Sequence, residues 1–118
     1  AMATLDIFAE EGTLENLPPK MDRFSAHLKR IAAHTHVGDV RQRGMMIGIE
    51  LVQDRERKTP FPWQQARGRI ACEAATNAGV WLRPLGDVMV IMPPLSISLS
   101  HIDQICEATL TGIEAATR

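Results

Sequence analysis

Apolar residues recur every three or four positions near both ends of the chain and every second position in its middle, which divides it into helices and strands. Leu5, Ile7 and Phe8 set a short helical pattern over Ala1 to Glu11 that Gly12 ends. Met21, Phe24, Leu28 and Ile31 predict a second helix within Leu14 to His34. Pro18 and Pro19 are tolerable only near a first turn or at a break, and the start is expected after Pro19. A short extended stretch follows, Gly38 to Val40. Beyond Gly44, Met45, Ile47, Ile49 and Leu51 alternate with Met46, Gly48, Glu50 and Val52, the period of a strand.

The charged, Pro-containing stretch Asp54 to Pro62 predicts a loop. Trp63 to Asn77 predicts a helix with Ala66, Ile70, Ala71, Ala74 and Ala78 on one face and Gly79 closing it. Val80 to Leu82 and Val88 to Met92 read as two strands joined by the turn formers of Arg83-Pro84-Leu85-Gly86-Asp87. Pro93-Pro94 ends the second, since neither residue can donate to a ladder. A last helix is capped by Ser98 or Ser100 and turns Ile102, Ile105, Leu110 and Ile113 inward. The order α-α-β-β-α-β-β-α predicts an α+β fold, a small, largely antiparallel sheet with helices on one face. Its expected core is Met45, Ile47, Ile49, Leu51, Val88, Val90, Ile102, Ile105 and Leu110.

Length allows one domain, 1–118, with entering helices over 1–34 and the α+β body over 35–118. A content of 45% hydrophobic and 23% charged residues describes a globular chain and excludes disorder. Thirteen Lys and Arg against fourteen Asp and Glu leave no basic excess, so neither nucleic acid nor an anionic membrane is an expected partner. The longest apolar run, Val88 to Leu95, is far short of the roughly 20 residues of a membrane helix, and no basic leader precedes an apolar stretch. The chain reads as cytoplasmic.

Few residues suggest chemistry. His34 and His36 flank Thr35 but lack a third ligand nearby, so an ordinary helix end is expected there rather than a metal site. Cys72 and Cys106 fall on apolar sides of helices and read as inert core thiols. Gly44 and Gly48 belong to no phosphate-binding turn and instead permit close backbone approach. Met45, Met46, Met89 and Met92 lie in strands, which favours core over a binding surface. Arg83 differs: it follows an apolar stretch and precedes a rigid Pro, a setting in which a structural ion pair with an acidic neighbour is the first expectation and a carboxylate ligand the alternative.

The stretch Val37 to Val52, with Gly44-Met45-Met46-Ile47-Gly48-Ile49-Glu50 at its centre, resembles the small-domain signature of class III pyridoxal-phosphate aminotransferases. Gly79-Val80 and Met92-Pro93-Pro94-Leu95 resemble it too, and the likeness covers nearly the whole chain. It implies the C-terminal small domain of a fold-type I transferase, with the large cofactor-binding domain absent and the fragment inactive alone. Within the class, Pro60-Phe61-Pro62-Trp63 and Leu82-Arg83-Pro84-Leu85-Gly86-Asp87-Val88 are most similar to the biotin-pathway branch. Many class III enzymes carry an Arg-Phe-x-Pro-Pro pattern whose Arg would fall at Val90, and this chain has none there. The branch resemblance implies instead that Arg83 holds the carboxylate of 8-amino-7-oxononanoate, with S-adenosylmethionine as second substrate and a homodimer as the full-length assembly; the same domain of a class III enzyme acting on ornithine, 4-aminobutyrate or a diamine, and a stand-alone α+β binding module, are the alternatives. Lys20, Lys29 and Lys58 match no cofactor-lysine context, so pyridoxal phosphate is implied for the full-length enzyme and no cofactor for this fragment.

Overall fold

The computed structural model describes residues 1–118. Its elements are α1 (Met2–Glu11), α2 (Leu17–Ala32), β1 (Val37–Arg43), β2 (Met46–Leu51), a 3-10 turn (Trp63–Gln65), α3 (Arg67–Asn77), β3 (Arg83–Leu85), β4 (Val88–Ile91) and α4 (Leu99–Ala116). The sheet has the order β1-β2-β4-β3 and every pairing is antiparallel. The expected α+β architecture is present, with the core between this sheet and α2, α3 and α4.

Register decides which side chains reach that core. Ile47 pairs with Ile91 and Ile49 with Met89, and all four are buried. Gly48 pairs with Val90 and Glu50 with Val88, on the face that no helix covers. The expected core therefore holds for Met45, Ile47, Ile49, Leu51 and Ile102. It is corrected in β4, where Met89 and Ile91 are buried while Val88 and Val90 are half-buried on the open face. Ile105 and Leu110 are partly buried against the core. Among the methionines, Met45 and Met89 are core, but Met46 and Met92 are exposed, because alternation along a strand puts neighbours on opposite sides.

Other boundaries move for identifiable reasons. Helix α2 begins at Leu17, ahead of Pro18 and Pro19, because residues of a first turn need no intrahelical N–H partner. Ala66 does not lie on a helix face: with φ of 47° it breaks the predicted helix into the 3-10 turn and α3. The buried side of α3 is Ala71, Cys72 and Ala75 rather than Ile70 and Ala78. Val80 to Leu82 is not a strand. Arg83 to Leu85, expected to be loop, forms β3, and a two-residue turn at Gly86-Asp87 joins it to β4. Ser98 caps α4, its Oγ accepting the His101 N–H at 3.2 Å. No helix is long and apolar enough to cross a membrane.

Candidate functional site

Strand β3 lies at one edge of the sheet, where Pro84 can sit because its missing N–H faces no second neighbour. Arg83 pairs with Val90 and Leu85 with Val88, while Pro84 pairs with the buried Met89. Arg83 and Leu85 therefore stand on the open face. Upstream, Leu82 turns into the core and Trp81 outward, continuing the same alternation. β4 stops at Ile91 because Pro93-Pro94 supplies no ladder donors. The segments before Arg83 and after Ile91 consequently leave a groove of about 340 Å³, lined by Trp81, Arg83, Val90, Met92, Pro93 and Ile105 among others.

Arg83 is the one charged side chain in that lining. It is exposed, and the ion pairs of the protein leave it out: their bases are Arg23, His27, Arg30, Arg41 and Arg69. No acidic side chain of this chain pairs with Arg83. A free guanidinium at the mouth of an apolar groove offers two parallel N–H donors to a carboxylate joined to an apolar chain. Along the same row of the sheet, Arg41 pairs with Gly48, Gly48 with Val90 and Val90 with Arg83. Arg41 is already neutralised, donating to Asp39 at 2.8 Å and to Glu50 at 3.2 Å. Of the two arginines on this row, Arg83 alone is free for an anion.

The other sequence candidates are engaged elsewhere. His34 Nδ1 accepts the His36 N–H at 3.1 Å, and His36 Nδ1 lies 3.0 Å from the Val52 carbonyl oxygen with its ring against Phe61. Burial, helped by the neighbouring His36, lowers the pKa of His34. No three His, Cys, Asp or Glu side chains come together as a metal site. Burial pushes the Cys72 thiol up to about 11 and, as the main cause, the Cys106 thiol up to about 12, so neither supplies a thiolate. A larger hollow of about 840 Å³ lies around Phe61, Trp63 and Asp87. Its charged groups are committed: Asp87 Oδ1 accepts the Gly68 N–H at 2.9 Å, and Arg69 lies 3.5 Å from Glu73. Of the groove lining, the sequence singles out Arg83 but not Trp81 or Met92, whose outward position follows from alternation about the buried Leu82 and Ile91.

Residues 1–112 match the family model described as aminotransferase class-III. The adenosylmethionine-8-amino-7-oxononanoate aminotransferase of Methanocaldococcus jannaschii is 42% identical over 116 residues, covering 98% of this chain and 25% of the relative. Its crystal structure superposes with a TM-score of 0.92 over 97% of this chain and 26% of that one. The enzyme of the same name from Aquifex aeolicus is 45% identical over 114 residues, 97% of this chain and 25% of the relative. A taurine–pyruvate aminotransferase of Rhodobacter capsulatus is 36% identical over 126 residues, covering 100% of this chain and 26% of the relative. The chain thus spans about a quarter of the length of the relatives it matches.

Proposed function

The chain belongs to the class III aminotransferases, and from that premise we propose that it is the substrate-carboxylate-binding domain of an adenosylmethionine-8-amino-7-oxononanoate aminotransferase of biotin synthesis. The observation that carries this reading is the unpaired Arg83 at the mouth of the apolar groove. Arg83 stands directly across the ladder from Val90, the position of the arginine in the Arg-Phe-x-Pro-Pro pattern of many class III enzymes. A guanidinium on the neighbouring strand serves the same face of the sheet, set one strand further out. An acid ending a long apolar chain fits that displacement, and relatives named for an oxononanoate substrate support it.

Pyridoxal phosphate, when bound, supplies the carbonyl that accepts and returns the amino group. In our reading no lysine of this chain holds it. Lys20 donates from Nζ to the Leu95 carbonyl oxygen at 2.7 Å and so braces the segment after Pro94, while Lys29 and Lys58 are exposed. In our reading the chain is inactive alone, and the cofactor, S-adenosylmethionine and the second copy of a homodimer engage a larger, cytoplasmic enzyme of which this is the C-terminal domain. The contribution of this chain is to hold and orient the keto acid through its carboxylate.

The test is Arg83→Ala in the intact enzyme, comparing kcat/KM for 8-amino-7-oxononanoate with that for an analogue lacking the carboxylate. Loss of a charged partner predicts a fall of about two to three orders of magnitude on the acid, within the roughly 2–5 kcal/mol of such truncations, and little change on the analogue. Arg83→Lys recovers part of the loss, because an ammonium cannot form two parallel hydrogen bonds. Equal losses on both substrates make Arg83 structural and remove the main support for this substrate.

A further inference from the structure

We propose that Trp81 is the specificity-determining wall of the groove: its indole packs along the apolar chain of the acid that Arg83 holds and thereby selects for chain length. The inference rests on the reading of Arg83 above and assigns the part of the ligand that Arg83 does not touch. Trp81 is 84% exposed, so the largest apolar side chain type is left in water beside the groove. No ring of the protein packs on it. The aromatic contacts are those of His34, His36 and Phe61, and the one cation over a ring is Arg67 on Phe61.

Its backbone position is nonetheless fixed on both sides. Leu82 is anchored in the core, and Arg83 is paired to β4. In an extended chain rising about 3.3 Å per residue, Trp81 and Arg83 share one side of Leu82, about 7 Å apart. Val90, Met92 and Pro93 line the same groove, and Met92 is 67% exposed. An indole and a flexible thioether together suit an unbranched methylene chain, and beyond Arg83 the lining offers no charged side chain to a second polar group. The ligand class this selects is a straight-chain acid of medium length, bound carboxylate-first at Arg83 and with its methylenes against Trp81.

The experiment is competitive inhibition of the intact, cofactor-loaded enzyme by straight-chain carboxylates from butanoate to nonanoate, measured against 8-amino-7-oxononanoate. In the unaltered enzyme Ki should fall about fourfold for each methylene buried. Trp81→Ala should flatten that slope to less than about twofold per methylene while leaving the Ki of butanoate nearly unchanged, and Trp81→Phe should keep most of the slope. An unaltered slope in Trp81→Ala, equal weakening of short and long acids, or no inhibition by nonanoate overturns the proposal. Arg83→Ala separates the two readings: it should raise Ki for every acid by one common factor and preserve the slope. If Arg83→Ala changes no Ki while Trp81→Ala still flattens the slope, the carboxylate assignment fails and the chain-length role stands. Thermal melting of each variant confirms folding, which substitution of so exposed a side chain leaves intact.

Discussion

At the scale of single residues, Gly68 and Ala66 show how tightly the local geometry is set. A Cβ on Gly68 would lie 2.1 Å from the Gly86 carbonyl oxygen, so the start of α3 touches the β3–β4 turn through bare backbone. The contact is completed by Asp87, which accepts the Gly68 N–H. Gly68→Ala should therefore destabilise by about 1–3 kcal/mol or more, although alanine favours a helix by roughly 1 kcal/mol over glycine. Ala66 is the opposite case: its φ of 47° puts an L residue in the left-handed region, at a cost of roughly 1–2 kcal/mol that glycine does not bear. Ala66→Gly should be neutral or stabilising. Urea midpoints of the two variants check both signs, and a Gly68→Ala protein as stable as the parent refutes the close approach. Residues of this kind are illegible in the sequence, since nothing in a lone glycine says what backbone lies opposite. Arg83 stands out as a candidate in the sequence because Pro84 beside it restricts the chain. Val88 and Val90 were misplaced because Val88, Met89, Val90 and Ile91 are all apolar, and a run without polar alternation carries no information about which side is buried.

Between elements, the joins that position the site are polar as well as apolar. Gln42 of β1 donates to the Met21 and Gly44 carbonyl oxygens and accepts the Ser25 hydroxyl at 2.7 Å, tying α2 to the first hairpin. Asp103 of α4 accepts Arg23 Nε at 2.8 Å and Nη2 at 2.7 Å, with His27 Nε2 at 2.7 Å, and Arg30 pairs with Glu107 one turn on. Arg23 first, then His27, holds the Asp103 carboxyl well below the usual carboxylate range. A carboxyl whose folded pKa is depressed contributes stability above its unfolded value, about 3.9, and loses that contribution as pH falls below it. The urea midpoint of the parent should thus drop on going from pH 5 to pH 3 by more than that of Asp103→Asn, which has no such proton to take up. Matching pH profiles would show that this α2–α4 join is inert, as many exposed pairs are. The helices and their order were readable from 3.6-residue periodicity. β3 was not, because Pro84 is a poor strand former whereas Val80-Trp81-Leu82 looks like a strand. Pairing with β4 through the two-residue turn at Gly86-Asp87 overrode that local preference.

Over the whole molecule, packing is one-sided, and that places both the thiols and the site. Helices α2, α3 and α4 cover one face of the sheet, and the other carries the row from Arg41 through Gly48 and Val90 to Arg83. Helix α1 buries no residue, so the stability of the molecule resides in the remainder. Alternation along β2 was enough to foresee a single covered face, but not that the uncovered one would present a free arginine opposite Val90, since register across strands is set by contacts distant in sequence. On the covered side, Gly112 of α4 lets the helix approach α3 so closely that a Cβ there would meet the Ala71 carbonyl oxygen at 2.3 Å. Cys72 and Cys106, from these same two helices, are both buried. Their thiols, raised to about 11 and about 12, favour the neutral form in the folded state. This contribution is complete below the unfolded value near 8.5 and declines as pH rises past it toward those raised values, so stability should fall on the alkaline side. At pH 8, a thiol-specific disulfide reagent should label both cysteines at one common rate, equal to that of global unfolding followed by circular dichroism, because reaching either requires separating α3 from α4. Rapid modification of one cysteine in a protein whose dichroism remains native would show that the two helices part locally, and that the joint core beneath the site is not a single cooperative unit.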